Sequence, residues 1–503
     1  MLKRLQHAVS CLMLCVLLLP CMTAPAAAAG FSDVPASHWA AASIQRCVEL
    51  GFFQGESATR FGLGHPMTRA SFAVVLSRFF GWKEGKAAES VYNDVPAGAW
   101  YAGAVQAAYE NGAFTRQSDD FRPADPVTRE ELAVILVRAL GYGTLAGLVQ
   151  DLPMPFRDVT TNAGYIAMAY ELGLMDGTSA TAFSPDRIAA REDLAVILVR
   201  LYDKLHGAAP VRVGIASSAA ELPDLTGFEA VAVASGKLLY QEGKVQMVPT
   251  AAEEDTAALR EAAKSAGTAQ LLYAPGTANI LRGDSGETAR TLAAAATAGG
   301  YDGVFLDVSG AAYGQKNALT QLANALDKVL EEKLLYVAAE APVWQGKSSE
   351  GYDYGKLAAA ADCLVLRAAS REEKAGAIPT APVEPLEEAY YALGELRGKV
   401  DMKKVSLLLT TSNTVWTEGK RTGTLSGLET ARLRDRERMG EYYSSRYACA
   451  YLSGTVDRKN TVVWYLSGQS AAERVKLLSC FGVGQVCFSQ LNGLLPEVLE
   501  AVK

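Results

Sequence analysis

The sequence predicts two fold classes in tandem. Residues 31–205 should form an all-α bundle of three helix-pair repeats. Residues 211–503 should form an α/β barrel of the (β/α)8, or TIM, type with a small α+β insertion before the last strand. Three observations carry this. A short motif recurs three times before residue 205 at nearly constant spacing. Beyond residue 210, eight apolar strand-like runs alternate with helical patterns. One of those runs, Gly303-Val304-Phe305-Leu306-Asp307-Val308-Ser309, carries acidic and hydroxyl side chains at alternate positions near its end. Alternate residues share one face of a strand, and the carboxyl end of a barrel strand lies at the mouth.

Taken in order, residues 1–29 read as a secretory signal. Lys3 and Arg4 give a positive start, Ala8 to Leu19 is an apolar run too short to span a bilayer, and Ala27-Ala28-Ala29 offers a cleavage site. Pro20 before Cys21 argues against a lipoprotein. No later run is long and apolar enough for a membrane span, so the mature protein is expected to be exported and soluble unless something tethers it. A net charge of -7 argues against a nucleic-acid partner. Of eight cysteines, Cys11, Cys15 and Cys21 leave with the signal. The remaining Cys47, Cys363, Cys449, Cys480 and Cys487 are odd in number and irregularly spaced, which predicts buried free thiols and not a disulfide framework. Four scattered histidines make a zinc site unexpected, and no metal or cofactor is anticipated.

The repeats span 31–82, 92–142 and 156–205. Phe31-Ser32-Asp33-Val34-Pro35 returns as Tyr92-Asn93-Asp94-Val95-Pro96 and as Phe156-Arg157-Asp158-Val159. Each is followed by a helical pattern ending at Gly51, Gly112 or Gly173, and then by a loop containing Phe61, Phe121 or Phe183. A second helix opens at Thr68-Arg69, Thr128-Arg129 and Ala190-Arg191, so acid and arginine stand 36, 35 and 33 positions apart. Leu132, Ile135, Leu136 and Leu140 recur at helical spacing and should form a buried stripe. Thr68 and Thr128 sit where an N-cap would accept a backbone N–H. Asp33, Asp94 and Asp158 are expected to fix the backbone at the helix start. A unit this small cannot bury its apolar face alone, so the three should pack together.

These repeats resemble S-layer homology domains, on the Phe-x-Asp-Val start, Trp39 and Trp100, and Thr128-Arg129-Glu130-Glu131. The resemblance implies a pseudo-threefold bundle whose inter-repeat grooves bind the anionic, often pyruvylated, secondary cell-wall polymer of Gram-positive bacteria. It makes Arg69, Arg129 and Arg191 ligands of an acidic sugar, through a planar fork that fits a carboxylate. Trp39 and Trp100 would supply apolar walls for sugar rings, or else would be core. The third repeat departs most, with Ala190 in place of threonine, no tryptophan and a short first loop, so its groove is expected to bind least.

His206-Gly207-Ala208-Ala209-Pro210 reads as a linker. The expected barrel strands are Val211 to Ala216, Ala230 to Ala234, Gln270 to Tyr273, Gly303 to Val308, Leu334 to Ala338, Cys363 to Leu366, Val405 to Thr410 and Gln485 to Phe488. The clearest helix is Gln315 to Glu332, and Thr411 to Thr461 would be the insertion.

This half resembles family 18 glycoside hydrolases, the chitinase-like enzymes, whose fourth strand carries Asp-Gly-x-Asp-x-Asp-x-Glu with the glutamate as proton donor. Here Asp302, Gly303 and Asp307 match, while Phe305 takes the middle acid position and Ser309 the catalytic one. Tyr352-Asp353-Tyr354 through Ala361-Asp362, Val462 to Tyr465 with Ser470 and Lys476, and Gly482 to Phe488 extend the resemblance. The family's Tyr-Asp after the sixth strand falls near Ala368 and Ala369, and its last-strand tryptophan falls on Ser489. Family 18 chemistry needs a general acid, and a serine hydroxyl is no acid at neutral pH. The barrel is therefore expected to be a degenerate relative that binds a glycan or a partner. Two rescues stay open, Glu340 after the fifth strand and a buried Asp307. Either would make the chain a wall-anchored hydrolase of N-acetylglucosamine-containing glycans. A third reading is an S-layer lattice protein. For Asp302 a strand-start role is preferred.

Overall fold

A computed structural model describes residues 30–83, 90–343, 348–368, 380–382 and 384–503. The signal-like segment 1–29, with Cys11, Cys15 and Cys21, lies outside the described residues, as does Ala369. The chain forms two compact units. One holds the residues up to Ala139 together with Ser184–Arg200, and the other holds Leu140–Phe183 and Leu201–Lys503.

The first unit is built on the second helices of the repeats, Arg69–Phe80, Arg129–Ala139 and the start of Arg191–Leu205. Its centre is a closed cycle of backbone hydrogen bonds. Met67 N donates to Ala189 O at 2.9 Å, Ala189 N to Val127 O at 2.9 Å, and Val127 N to Met67 O at 2.8 Å. Each repeat thus supplies the same donor and the same acceptor, which gives the pseudo-threefold its order. The helix starts follow from their sequences. Thr128 Oγ1 accepts from Glu131 N at 3.2 Å while the Glu131 carboxylate accepts from Thr128 N at 3.0 Å, a reciprocal capping box. Thr68 Oγ1 caps Ser71 N at 3.3 Å. Ala190 has no hydroxyl, and the Asp193 carboxylate alone takes up Ala190 N at 3.1 Å. Leu132, Ile135, Leu136 and Leu140 are all buried.

The acids of the repeat motif do something other than expected. The first helices Ala41–Glu49, Ala102–Glu110 and Ala163–Glu171 begin at Ala40, Tyr101 and Asn162, none of which is capped by a side chain. The carboxylates instead reach the aromatic loop further along the chain. Asp33 accepts from Phe61 N, Gly62 N and Leu63 N at 2.8, 2.8 and 3.1 Å. Asp94 accepts from Phe121 N and Arg122 N at 2.6 and 2.7 Å, and Asp158 from Phe183 N at 2.8 Å. Burial raises the Asp33 pKa, but these amide donors outweigh it and hold it at about 2. The residue after each aromatic, Gly62, Arg122 or Ser184, has a positive φ of 86°, 58° or 58°, which turns successive amides toward the acid.

In the second unit eight parallel strands close into a barrel: β1 (Val211–Ala216), β2 (Phe228–Val233), β3 (Ala269–Thr277), β4 (Gly303–Ser309), β5 (Leu334–Glu340), β6 (Cys363–Arg367), β7 (Val405–Leu409) and β8 (Gln485–Phe488). Consecutive strands are neighbours throughout. β8 pairs with β1 through Val211 opposite Gln485, and Ala230 opposite Ala269 joins β2 to β3. Alternate residues fill the interior, among them Val213, Ile215, Leu271, Phe305, Tyr336, Cys363, Val365, Leu408 and Cys487. Helix Lys316–Leu330 buries Leu319, Leu322, Leu326 and Leu330 against the barrel wall. After β2 an antiparallel hairpin, Gly236–Gln241 and Lys244–Pro249, adds two strands that sequence reading did not anticipate.

The insertion is a five-stranded antiparallel sheet with helix Gly427–Glu437. It runs to Tyr465, past the expected limit at Thr461. Leu140–Phe183 clusters with this unit: Arg397 donates to Tyr170 O at 2.7 Å, and Lys476 Nζ lies 5.0 Å from the Tyr142 ring centroid. The five described cysteines are free and buried. No helix among the described residues is long and apolar enough to cross a membrane.

Candidate functional sites

The repeat arginines stand at the junctions between repeats, because the start of each second helix docks on the next repeat's aromatic loop. Arg69 N donates to Asp125 O at 3.0 Å, Arg129 N to Arg187 O at 2.9 Å and Arg191 N to His65 O at 3.1 Å. The Arg69 side chain follows its backbone. Its Nε donates to Phe121 O at 2.8 Å, its Nη1 pairs with Glu131 at 3.0 Å, and its guanidinium lies 5.3 and 5.0 Å from the Phe114 and Phe121 rings. Arg191 repeats this on the first repeat. Nε donates to Phe61 O at 3.0 Å and Nη2 to Gln54 O at 2.9 Å, with Phe53 and Phe61 rings at 5.4 and 5.0 Å. The third repeat's arginine thus works on the first repeat's loop, so a groove belongs to two repeats and not to one. Arg129 is buried. Trp39 and Trp100 are not core: they are 62% and 69% exposed, each beside another ring, His38 or Tyr101.

At the barrel mouth the alternation of β4 directs Phe305, Asp307 and Ser309 to one face, and that of β6 directs Cys363, Val365 and Arg367 inward. Phe305, at the middle acid position, is core, with its ring 5.4 and 6.0 Å from those of Tyr273 and Tyr336. Asp307 is buried. Its Oδ2 accepts from the Tyr273 hydroxyl at 2.6 Å, and its Oδ1 pairs with Arg367 Nη1. Arg367 Nη2 also donates to Val308 O at 3.3 Å and lies 3.9 Å from Glu340. Glu340 accepts from Gly310 N at 2.8 Å. Ser309 Oγ donates to Gly276 O at 3.3 Å. Burial and the adjoining Asp307 carboxylate push the Tyr273 phenol well above its ordinary range. Ser489, at the expected tryptophan position, accepts from Thr411 N at 3.0 Å.

Asp302 stands at the other end of β4. It accepts from Gln270 N at 2.8 Å, and Asp362 treats Leu335 N in the same way at 2.8 Å. Each acid fixes the start of the neighbouring strand. The structure thus brings Asp307, Glu340 and Ser309 to one mouth and leaves Asp302 outside it.

Sequence reading missed Arg367, although its spacing from Cys363 and Val365 was a usable signal. It also missed Glu384, a buried carboxyl raised by desolvation against hydrogen bonds from the Thr410 amide and hydroxyl. No cluster of metal-binding side chains occurs among the described residues.

A family model of the S-layer homology domain matches residues 30–73, 91–133 and 155–195. An endoglucanase of Bacillus sp. (strain KSM-635) is 30% identical over 213 residues, 39% of this chain and 22% of that protein. An S-layer protein of Bacillus thuringiensis subsp. finitimus is 30% identical over 198 residues, 38% of this chain and 24% of that protein. The chain therefore spans less than a quarter of the length of either relative. In structure, a chitinase from Chromobacterium violaceum ATCC 12472 superposes with a TM-score of 0.51 at 21% identity, over 58% of this chain and 98% of that one. This likeness gives the fold. The chain is a cell-surface protein that carries three S-layer homology domains, followed by a (β/α)8 barrel with the chitinase fold.

Proposed function

We propose that the chain is exported and held non-covalently at the bacterial wall by its three repeats, which bind an anionic wall polysaccharide, and that its barrel binds a glycan or partner without hydrolysing it. The observation that supports anchoring is the recurrence of one arrangement, an arginine set on the next repeat's aromatic loop; Trp39 and Trp100 are in addition left exposed to solvent. A guanidinium recognises a carboxylate with two parallel hydrogen bonds, and an exposed indole offers a sugar ring an apolar face.

For the barrel, the supporting observation is the occupancy of its mouth. The proton-donor position is Ser309. The two carboxylates that could replace it are taken up, Asp307 by Tyr273 and Arg367, and Glu340 by Gly310 N with Arg367 beside it. Loss of one general acid alone costs about 10²–10⁴ in rate.

The full chain is expected to sediment with wall sacculi that carry their polymer and to stay in solution with sacculi stripped of it. The Arg69→Ala/Arg129→Ala/Arg191→Ala chain should lose that retention, and unchanged retention refutes anchoring. Incubation with chitooligosaccharides and with peptidoglycan should release no new reducing ends. Release that disappears in Glu340→Ala or Asp307→Ala would make the barrel a hydrolase.

A further inference from the structure

The insertion is charged against the rest of the chain. Residues 411–465 hold nine Lys and Arg and six Asp and Glu, a balance of +3, while the remaining residues hold 39 and 49, a balance of -10. The excess gathers at one end of the five-stranded sheet. Strand Asn413–Thr417 leaves the barrel and strand Lys459–Tyr465 returns to it, with Thr414 opposite Trp464 near the barrel and Thr417 opposite Thr461 toward the far end. The turns at that far end are tied together, Glu418 N donating to Asn460 O at 2.9 Å and Asn460 N to the Glu418 carboxylate at 2.6 Å. They bring exposed Lys420, Arg421, Arg458 and Lys459 to one place. Between the sheet and helix Gly427–Glu437 runs an open groove of about 580 Å³. Its floor is aliphatic, with Val415, Leu425 and Val456 from the sheet and Leu433 from the helix. Its rim is cationic: Arg432 and Arg436 share a helix face with Leu433, and Lys459 comes from the sheet. Glu429 and Asp457 also line it, but Glu429 is taken up by Ser426 N at 2.7 Å. Arg432 pairs with Glu221 and Arg436 with the adjacent Glu437, both at 2.8 Å. Lys420, Arg458 and Lys459 have no ion-pair partner among the described residues.

We propose that this groove binds a chain of acidic sugars, so that the glycan taken by the second half of the protein is held on the insertion and not in the barrel mouth. The proposal rests on the reading that this half binds a glycan, and it gives that glycan a chemical class and a place. At the mouth the cation is already spent, since Arg367 pairs with Asp307 and stands beside Glu340. The groove combines two features that an acidic sugar matches. A pyranose ring has a face of C–H groups, which can cover aliphatic side chains, and its carboxylate can meet a lysine or arginine at the rim. Polyphosphate has the charge without the apolar face, and a neutral glycan has the face without the charge. The cations at the turns also draw in a polyanion before contact, by an attraction that salt screens. Arg436 and Glu437 are exposed neighbours whose pairing is worth little in water, so a ligand carboxylate displaces it at small cost.

The test uses the full chain with polygalacturonate as the acidic probe, and with dextran and polyphosphate beside it. The wild type should bind polygalacturonate, bind it less as salt is raised, and leave dextran unbound. Arg436→Glu/Lys459→Glu should raise the Kd about tenfold or more, the size of one charged hydrogen bond, with no fall in melting temperature because both side chains are exposed. Lys264→Glu/Lys328→Glu makes the same change of charge at exposed positions on two barrel helices and should bind as the wild type does. Absent binding, binding that survives reversal of the rim, equal losses in the two reversed chains, or polyphosphate bound as tightly as polygalacturonate each overturns the assignment. Loss of binding in Arg69→Ala/Arg129→Ala/Arg191→Ala overturns it too, by placing the probe on the repeats. Sedimentation with sacculi is a separate readout: a chain that ignores sacculi but takes polygalacturonate through the rim loses the anchoring reading and keeps this site.

Discussion

The pair of Asp307 and Arg367 sets the charge balance at the barrel mouth. Asp307 holds the third acid position of the motif read in the sequence, and a guanidinium from β6 faces it across the mouth. Asp307 is buried and Arg367 is 21% exposed, and such a pair matters most when it is broken, because the buried charge is then left without its partner. Arg367→Ala should therefore destabilise the barrel by about 3 kcal/mol. The double substitution Asp307→Asn/Arg367→Met should recover more than half of that loss, since neither partner is then an orphan. Urea unfolding of the wild type, Asp307→Asn, Arg367→Met and the double chain gives the coupling directly, and additive losses would show that the pair is not a unit. The serine at position 309 was legible in the sequence because it occupies a known slot in a motif. Arg367 was not read because it lies outside the motif, and only the closed barrel brings β4 and β6 within reach of one another across the mouth.

The motif Phe/Tyr-x-Asp-Val acts at the scale of an element, as a clamp that ties the start of each repeat to its aromatic loop some 25–30 residues later. The sequence exposed the recurrence but not the partner, because a carboxylate beside a helix start reads as a cap unless the loop's positive φ values are known. The barrel strands were more legible. All eight were expected within a few residues of their observed limits, because a continuous apolar run bounded by turn residues has few other homes. The hairpin after β2 was missed because Lys244 to Pro249 carries polar Lys244 and Gln246 among its apolar residues and buries only Val245.

The clamp has a pH signature. Asp33 titrates at about 2 in the folded chain, below the ordinary carboxylate value of about 3.9 in the unfolded one. Its contribution is complete above about pH 4 and is lost as pH falls through 2. Asp33→Asn should lower the melting temperature at pH 7 and narrow the gap to wild type as the pH is taken from 4 to 2. A gap that stays constant across that range would assign the clamp to geometry and not to charge.

At the scale of the whole molecule, the repeats counted in the sequence are not the units of packing. Three copies of one motif suggest one self-contained bundle, yet Leu140–Phe183 clusters with the barrel. The reason lies in the faces. Helix Gly143–Leu148 packs against helix Leu386–Leu396, and Tyr142, Leu145, Ala146 and Val149 are buried. Lys476 covers the Tyr142 ring, and Arg397 bonds Tyr170 O. A periodic pattern tells which face of a helix is buried and never against what, so this part of the architecture was beyond sequence reading. It carries a consequence for dissection. A chain ended at residue 205 keeps all three repeat motifs but uncovers these side chains, each worth roughly 1.5–3 kcal/mol when buried. A total near 5 kcal/mol is a large part of the stability of an ordinary domain. The shortened chain should therefore melt well below the full chain's repeat transition in calorimetry and bind a hydrophobic dye. If it melts unchanged and stays dark, the third repeat is held by its two siblings, and the barrel is a passenger on the anchor.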